Sequence, residues 1–384
     1  MSSEYPPQRR NPSIKPCVAV VFGGRSSEHG ISVVTAGAVL RAIDRERYDV
    51  LPIGITAEGH WALTADDPAR MAIAERRLPS VEQVAEPGAG GVRLPVEPTR
   101  REVVYTEAGE VPKELGDVDV VFPLLHGPYG EDGTLQGLLE LSGVPYVGAG
   151  VLSSAIGMDK EYMKRIFTSF GLPVGPYTVV RPREWETDPA AARERILDFA
   201  GEHGWPVFVK PARAGSSIGI SRVTDIGGLE AALELARQHD PKILVEAQVT
   251  GREIECGVVE FADGPRASLP AEIPADAEHD FYDFEAKYID SAEGIVPAPL
   301  TPEQTAEVQR LAVRAFEAVS CEGLVRADFF LRENGEFVIN EINTMPGFTP
   351  ISMFPRMWQA SGVSYPELVD VLIQAALRRS TGLR

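Results

Sequence analysis

The stretch LVRADFFLRENGEFVINEIN, residues 324–343, carries the pattern from which the rest of the chain is best read. Two alternating apolar runs flank Asn334-Gly335, the strongest short hairpin signal a sequence offers. With those two residues as the loop, Asp328 stands opposite Glu341 and Arg326 opposite Asn343, and period two puts Asn343 on the face of Glu341. Like charges directly opposite on a sheet are destabilising, so the register predicts a compensating partner for the two acids. A hard cation is one such partner, since magnesium is commonly held by one or two carboxylates together with substrate phosphates. Two acids splayed into solvent fit the hairpin as well, and the stretch alone leaves both readings open.

Around this hairpin lies a chain of 384 residues, too long for one small core and sized for two or three domains. Its 44% hydrophobic and 24% charged content is that of a soluble globular protein. A net charge of −19 argues against nucleic acid or an anionic membrane as partner. No apolar run has transmembrane length and no signal-peptide pattern is present. Cys17, Cys256 and Cys321 are odd in number, far apart and without CxxC spacing, which predicts free thiols and a reduced, cytoplasmic setting. Six scattered histidines form no zinc motif.

Residues 1–16, rich in Pro, Arg and Ser, read as a disordered tail. Cys17–Phe22 is a buried-strand run, followed by a Gly-rich turn with Glu28 and a helix from about Ile31 to Ile43. Val118–Leu125 repeats the plan and runs into a polar turn with His126, so an N-terminal parallel α/β domain is expected over 17–148. Within it, 57–112 read as a loose insertion with little core. Helix is expected from Ser153 to Phe170, strands at Val207–Lys210, Ile218–Val223, Ile243–Val249 and Glu253–Glu260, and a helix near 227–239. Thr301-Pro302-Glu303-Gln304 opens a further helix with a capping box, and Ser364-Tyr365-Pro366-Glu367 repeats the device. Cuts near 148 and 245 give a central segment 149–245 and a C-terminal segment 246–384. The class is α/β, with α+β character in the C-terminal half.

Gly215-Ser216-Ser217-Ile218-Gly219 matches the G-x-S-x-G nucleophile elbow, but an elbow needs a following helix, and Ile218–Val223 alternates like a strand. An α/β-hydrolase is rejected on that ground. A Gly/Ser loop entered through Lys210 instead suits phosphates, with backbone N–H groups, the Ser216 and Ser217 hydroxyls and one cation as donors; a flexible hairpin is the plain alternative. No Gly-Lys pair exists, so there is no Walker A motif. Asn343–Pro350 holds a Pro346-Gly347 turn whose N–H groups can serve an oxyanion, with Ser352 just beyond. Glu28 and His126 sit on loops after strands, where α/β proteins place ligands.

These stretches together resemble the ATP-grasp superfamily and, within it, the D-alanine–D-alanine ligases. The likeness runs from about Val18 to Leu377 through GGRSSEHGIS (23–32), HGPYGEDGTLQGLLELSGVPYVG (126–148), MDK (158–160), VKPARAGSSIGIS (209–221), FYDFEAKY (281–288), RADFF (326–330) and NEINTMPGFTPIS (340–352). It implies a three-domain ATP-grasp architecture with ATP gripped between the two later domains. The implied reaction joins two D-alanines through a D-alanyl phosphate, a step in making peptidoglycan precursors for the cell wall.

By position, the resemblance implies that Lys160 and Lys210 meet the ATP phosphates beneath a lid carrying Ser216 and Ser217. Glu246 and Glu253, with backbone groups at Ala247 and Val249, would hold adenine and ribose. Asp328, Glu341 and Asn343 would bind two magnesium ions, with manganese as a substitute and a monovalent cation allowed for. Arg326 and the Gly347 N–H would face the oxyanion. Glu28, oriented through Ser216 and Tyr288, would set the ammonium of the first D-alanine, His126 its carboxylate, and Ser352 the carboxylate of the second. Lys287 would reach the transferred phosphate. Ala247 stands where the family often has lysine, and the turn reads MPGFTPIS where a Ser or Thr and SHS are frequent. Tyr288 points to an amine rather than D-lactate as the second substrate. The alternatives are a D-alanine–D-lactate ligase, another ATP-grasp carboxylate–amine ligase, and a non-catalytic nucleotide-binding regulator. A homodimer is expected, as is usual in the family.

Overall fold

A run of six buried residues places β1 (Cys17–Gly23) inside the first sheet, next to its end. It pairs in parallel with β2 (Asp49–Ile55) and β7 (Val120–Pro123), and α1 (His29–Ala42) covers one face. The computed structural model describes residues 15–379, apart from 75, 86–89, 108–109, 216–217 and 275–293. Of the expected tail, 1–14 lie outside the described residues. Lys15 and Pro16 do not belong to a tail, since Lys15 Nζ donates to the Arg45 carbonyl at 2.7 Å and Pro16 accepts from Asp49 N–H.

The stretch 57–112 is not a loose insertion. It supplies β3 (Trp61–Leu63), β4 (Gly91–Arg93) and β5 (Glu102–Thr106), which continue the sheet antiparallel from β2 and end on β6 (Lys113–Asp117). Met71 and the short helix α2 (Val81–Val84) plug the core beside α1. These strands of three to five residues are too short for a period-two pattern to stand out, which is why the sequence reads as loop. The N-terminal sheet is thus parallel only over β2, β1 and β7, at one end of the strand order.

After α3 (Thr134–Ser142), the helix expected over 153–170 is two, α4 (Val151–Met158) and α5 (Lys160–Ser169). Extended Asp159 breaks them and caps α5, its Oδ1 accepting from Tyr162 N–H at 3.3 Å. The second sheet is antiparallel throughout, in the order β10 (Ser221–Val223), β9 (Val207–Pro211), β11 (Ile243–Ala247), β8 (Tyr177–Val180). Helices α7 (Pro189–His203) and α8 (Leu229–His239) bury their apolar stripes against one face, behind the short α6 (Pro182–Thr187). The cut expected near 245 runs through β11, every residue of which is buried between β8 and β9; a boundary there belongs after Ala247. Strand β10 begins at Ser221, because Gly219 at φ +73° turns the chain first.

The third sheet contains β12 (Arg252–Phe261), β13 (Gly264–Ala267), β14 (Ala271–Ile273), β15 (Leu324–Leu331) and β16 (Phe337–Asn343). Helix α9 (Pro302–Ala318) packs Val308, Leu311, Ala312, Ala315 and Phe316 on it and starts with the expected box: Thr301 Oγ1 accepts from Gln304 N–H at 3.2 Å, and Gln304 Oε1 from Thr301 N–H at 3.0 Å. Ser364 caps α11 (Tyr365–Arg378) by accepting from Glu367 N–H, half of that device. Between them, α10 (Met353–Ala360) follows the turn bearing Gly347. Buried Phe348 anchors that turn, stacking edge-on with Phe122 of β7 at 6.1 Å and taking a hydrogen bond from Tyr365 to its carbonyl. The three cysteines are free, and burial pushes the Cys256 and Cys321 thiols up to about 12, which keeps them unreactive.

Candidate active site

The hairpin reaches the expected register by a different route. Its loop has three residues, Glu333–Gly335, closed by Arg332 and Glu336, with Gly335 at φ +84°. That choice shifts the pairing by one, so Phe329 faces Ile339 rather than the residue a two-residue loop would bring. A bulge then inserts Asn340, and beyond it Asp328 faces Glu341 and Arg326 faces Asn343. Two irregularities cancel at the carboxylates. The bulge also frees the Asn340 carbonyl, which accepts from Lys164 Nζ at 3.3 Å.

Nor are the two acids uncompensated. Arg326 grips Asp328 with two hydrogen bonds of 2.7 Å and lies 3.4 Å from Glu255 on β12, opposite Asp328. Lys160 Nζ stands 3.3 Å from Glu341 Oε2 and donates to the Ala214 carbonyl at 2.9 Å. One lysine therefore ties the Gly/Ser loop to the acidic strand. Burial alone pushes the Glu341 carboxyl up, but Lys160, Lys210 and Arg326 outweigh it and hold it at about 2. Burial works against the Arg326 charge, yet Asp328, Glu255 and Glu341 keep its pKa well above the ordinary value.

A second ion cluster lies one helical turn on. Lys164, four residues after Lys160 and on the same face of α5, sits 2.7 Å from Glu246 Oε1, while Lys210 pairs with Glu246 Oε2. Burial pushes the Glu246 carboxyl up, but Lys164 and Lys210 reverse it and leave it at about 2. Burial lowers Lys164, whereas at Lys210 the charges of Glu246 and Glu341 outweigh burial and raise the pKa. Glu246 and Lys210, expected on adenine and on phosphate, are thus paired with each other. Ala247 N–H donates to the Pro176 carbonyl at 3.1 Å, so a purine contact at that residue falls to its carbonyl. Val249 is half-buried against Gly175, and exposed Glu253 lies two residues before Glu255 on β12.

On the N-terminal side, Glu28 precedes α1 and His126 follows β7, both buried. His126 Nδ1 is 3.1 Å from the Met345 carbonyl; burial lowers its pKa, with Glu28 opposing, so the ring is neutral near pH 7. A Cβ on Gly127, at φ +73°, would lie 3.1 Å from Glu28 Oε2. Glu131, which the sequence reading left unassigned, accepts from Gly127 N–H and from Met345 N–H; burial and then Glu28 push its carboxyl up to about 8. Ser352 begins α10, its Oγ accepting from Thr349 N–H at 3.1 Å, and Gly347 lies in the turn before it.

The described residues therefore gather Lys160, Lys210, Glu246 and Glu341 in one cluster, with Arg326 and Asp328 beside it, and bring Glu28 and His126 near the Met345 turn. Ser216, Ser217, Lys287 and Tyr288 lie outside the described residues. Sequence reading missed Lys164, Glu255 and Glu131. Helical spacing from Lys160 would have found Lys164, and period two from Glu253 would have found Glu255. No group of three or more His, Cys, Asp or Glu that could hold a metal occurs among the described residues. Two carboxylates and an amide oxygen nonetheless suit a hard cation whose remaining ligands are phosphate oxygens and water.

The buried charges set the acid stability. Glu246, held at about 2, contributes stability that is fully present above about pH 4.5 and is lost as pH falls through 2, on the order of 3 kcal/mol. Glu131, raised to about 8, does the reverse: its contribution is present below about 4.5 and is lost as pH rises through 8. Urea midpoints are expected to fall steeply between pH 4.5 and 3, and Glu131→Gln to flatten the decline between pH 5 and 8. Identical pH profiles for Glu131→Gln and wild type above pH 5 would remove Glu131 from this account.

Residues 17–149 match the family model for the D-ala D-ala ligase N-terminus, and 166–374 match that for its C-terminus. Curated relatives include a D-alanine–D-alanine ligase of Streptomyces avermitilis, 77% identical with both chains fully covered, and one of an Arthrobacter species, 56% identical over 96% of each. Among solved structures, the VanG D-Ala:D-Ser ligase of Enterococcus faecalis matches at TM-score 0.80 and 33% identity, covering 94% of this chain and all of the other. The D-alanine–D-alanine ligase of Coxiella burnetii matches at TM-score 0.77 and 35% identity over 94% of each chain.

Proposed function

The chain belongs to the D-alanine–D-alanine ligase family, and from that membership we propose that it joins two D-alanines at the expense of ATP, for peptidoglycan precursors. One observation supports this most directly: Lys160 links the Gly/Ser loop through Ala214 to Glu341, so phosphate-binding cations and metal-binding acids share one cluster. In the proposed reaction a carboxylate oxygen of the first D-alanine attacks the γ-phosphorus and ADP departs. The amine of the second D-alanine then adds to the acyl carbon of the D-alanyl phosphate, loses a proton, and phosphate leaves.

The residues have separate tasks. Lys160 and Lys210 neutralise the phosphates, with Lys210 shared between Glu246 and the nucleotide. Glu246, Glu253 and the backbone at Ala247 and Val249 hold adenosine. Asp328, Glu341 and Asn343 would hold magnesium or manganese, which when bound spreads the charge of the transferring phosphoryl group. Arg326 and Gly347 N–H face the oxyanion. Glu28 orients the first ammonium, His126 faces the first carboxylate and gains a proton at Nε2 as that carboxylate binds, and Ser352 meets the second. Ser216 and Ser217 cover the phosphates, and Lys287 and Tyr288 complete the site. A cytoplasmic setting, supported by three free thiols, and a homodimer, usual in the family, belong to the same proposal.

The test is ADP release by the purified protein with magnesium, ATP and D-alanine, with the product identified as D-alanyl-D-alanine. Equimolar D-alanine and D-lactate at pH 7 are expected to give at least tenfold more dipeptide than ester. Dominant ester would move the assignment to the depsipeptide ligases, and ADP release only with other amino acids would move it to another carboxylate–amine ligase. Nucleotide binding without turnover would leave a regulator.

A further inference from the structure

Glu131 makes a contact that neither the family likeness nor the reaction assigns. Its carboxyl stands between two loops from different sheets: the turn after β7, which carries His126 and Gly127, and the turn after β16, which carries Met345 and Gly347. One oxygen accepts from Gly127 N–H, the other from Met345 N–H at 3.2 Å. A third contact runs in parallel, since His126 Nδ1 lies 3.1 Å from the Met345 carbonyl. Met345 is thus held at both its N–H and its carbonyl by the loop that carries His126.

The Met345 N–H is also shared. It points at Asn343 Oδ1 at 3.0 Å as well as at Glu131 Oε1. If Asn343 turns that oxygen toward a cation, the N–H loses its nearer acceptor, and a buried N–H without a partner carries a desolvation penalty. Glu131 removes that penalty, because it is already in place to take the bond. On the other side, Gly127 packs where a Cβ would be 3.1 Å from Glu28 Oε2, so shifting the Gly127 N–H shifts the wall beside Glu28. We propose that Glu131 is a positioning residue that clasps the His126 loop to the Met345 turn, fixing the first-substrate pocket and leaving Asn343 free to turn. This rests on the ligase reading for its functional half only; the clasp itself is a statement about two amides.

Hydrogen exchange read by mass spectrometry, on the metal-free full-length protein, tests the clasp without any activity. Glu131→Ala is expected to speed exchange at least tenfold in peptides covering 126–130, where Gly127 N–H donates to Glu131, and by a smaller factor in 344–347, where Asn343 Oδ1 still accepts from Met345 N–H, with the β12 peptides unchanged. In steady-state kinetics it is expected to raise the first-site KM for D-alanine about tenfold and the ATP KM less than twofold. Glu131→Gln, which keeps one acceptor oxygen, serves if the alanine variant does not fold; it is expected to speed exchange in one segment more than the other and to raise the first-site KM by a smaller factor. Unchanged exchange in 126–130 in both variants would overturn the clasp, as would equal increases in the D-alanine and ATP KM values. Absence of turnover in the wild type would overturn the ligase reading alone, since the exchange result stands without it.

Discussion

Glu341→Gln is expected to lower kcat/KM for D-alanine by about 10³-fold, the loss that several kcal/mol of missing charge stabilisation produces. Glutamine keeps the shape and one acceptor oxygen but removes the charge. In the folded protein that charge interacts with Lys160, Lys210 and Arg326, and it is held ionised down to about pH 2. Without it, Lys160 keeps the Ala214 carbonyl but loses the opposite charge of Glu341, and Asp328 is left as the one carboxylate of the proposed pair, already gripped by Arg326. Two cations then face phosphates with one fewer acid to hold a third. Half-saturating magnesium is expected to rise together with the loss of kcat, a split that simple loosening of the hairpin does not produce. Strand register should survive, because the bulge at Asn340 is fixed by backbone pairing and by Lys164 rather than by the Glu341 side chain. Loss of cooperative unfolding in urea would mean a folding defect instead. Activity within tenfold of wild type would remove Glu341 from phosphoryl transfer altogether.

How far such residues are legible in sequence depends on whether the physics that places them is local. Strand β1 and the capping box at Thr301 rest on short-range rules, and both stand as read. The facing of Asp328 and Glu341 was read for an incomplete reason. A two-residue loop and a three-residue loop followed by one bulge give the same pairing at the carboxylates, and nothing in ENGEFVIN separates them. The partners of those acids were illegible in a stronger sense. Arg326 lies two residues from Asp328 on the same face, yet the gap that brings Lys160 to Glu341 is set by α5 packing on β16, where Met163 Sδ accepts from Ile342 N–H. Tertiary contacts of that kind have no period. The stretch 57–112 failed for the opposite reason: its strands are real, but each is shorter than the window in which alternation can be counted.

Lys164→Met is expected to destabilise the fold by about 3–5 kcal/mol, the usual cost of removing one partner of a buried ion pair. Lys164 is 4% exposed at its side chain, ion-paired with Glu246 Oε1 and donating to the Asn340 carbonyl at the bulge. Methionine matches its length and fills the space, so the loss is electrostatic rather than a cavity. Among the described residues, what remains is Glu246 with Lys210 as its single cation, and a bulge carbonyl without its donor. The decisive measurement is a double-mutant cycle in urea. If the cost arises because Glu246 is left short of charge, then Glu246→Gln in the Lys164→Met background should restore part of the loss, with a coupling of about 1–3 kcal/mol. Simple additivity would mean that Lys164 acts through the Asn340 bulge alone. The functional consequence follows from the same triangle. With Lys164 gone, Glu246 draws more heavily on Lys210, the cation proposed to be shared with the nucleotide, so the ATP KM should rise at least fivefold while the D-alanine KM values move less. If ATP affinity is unaffected, Lys210 does not divide its charge between Glu246 and phosphate, and the two clusters on α5 work independently.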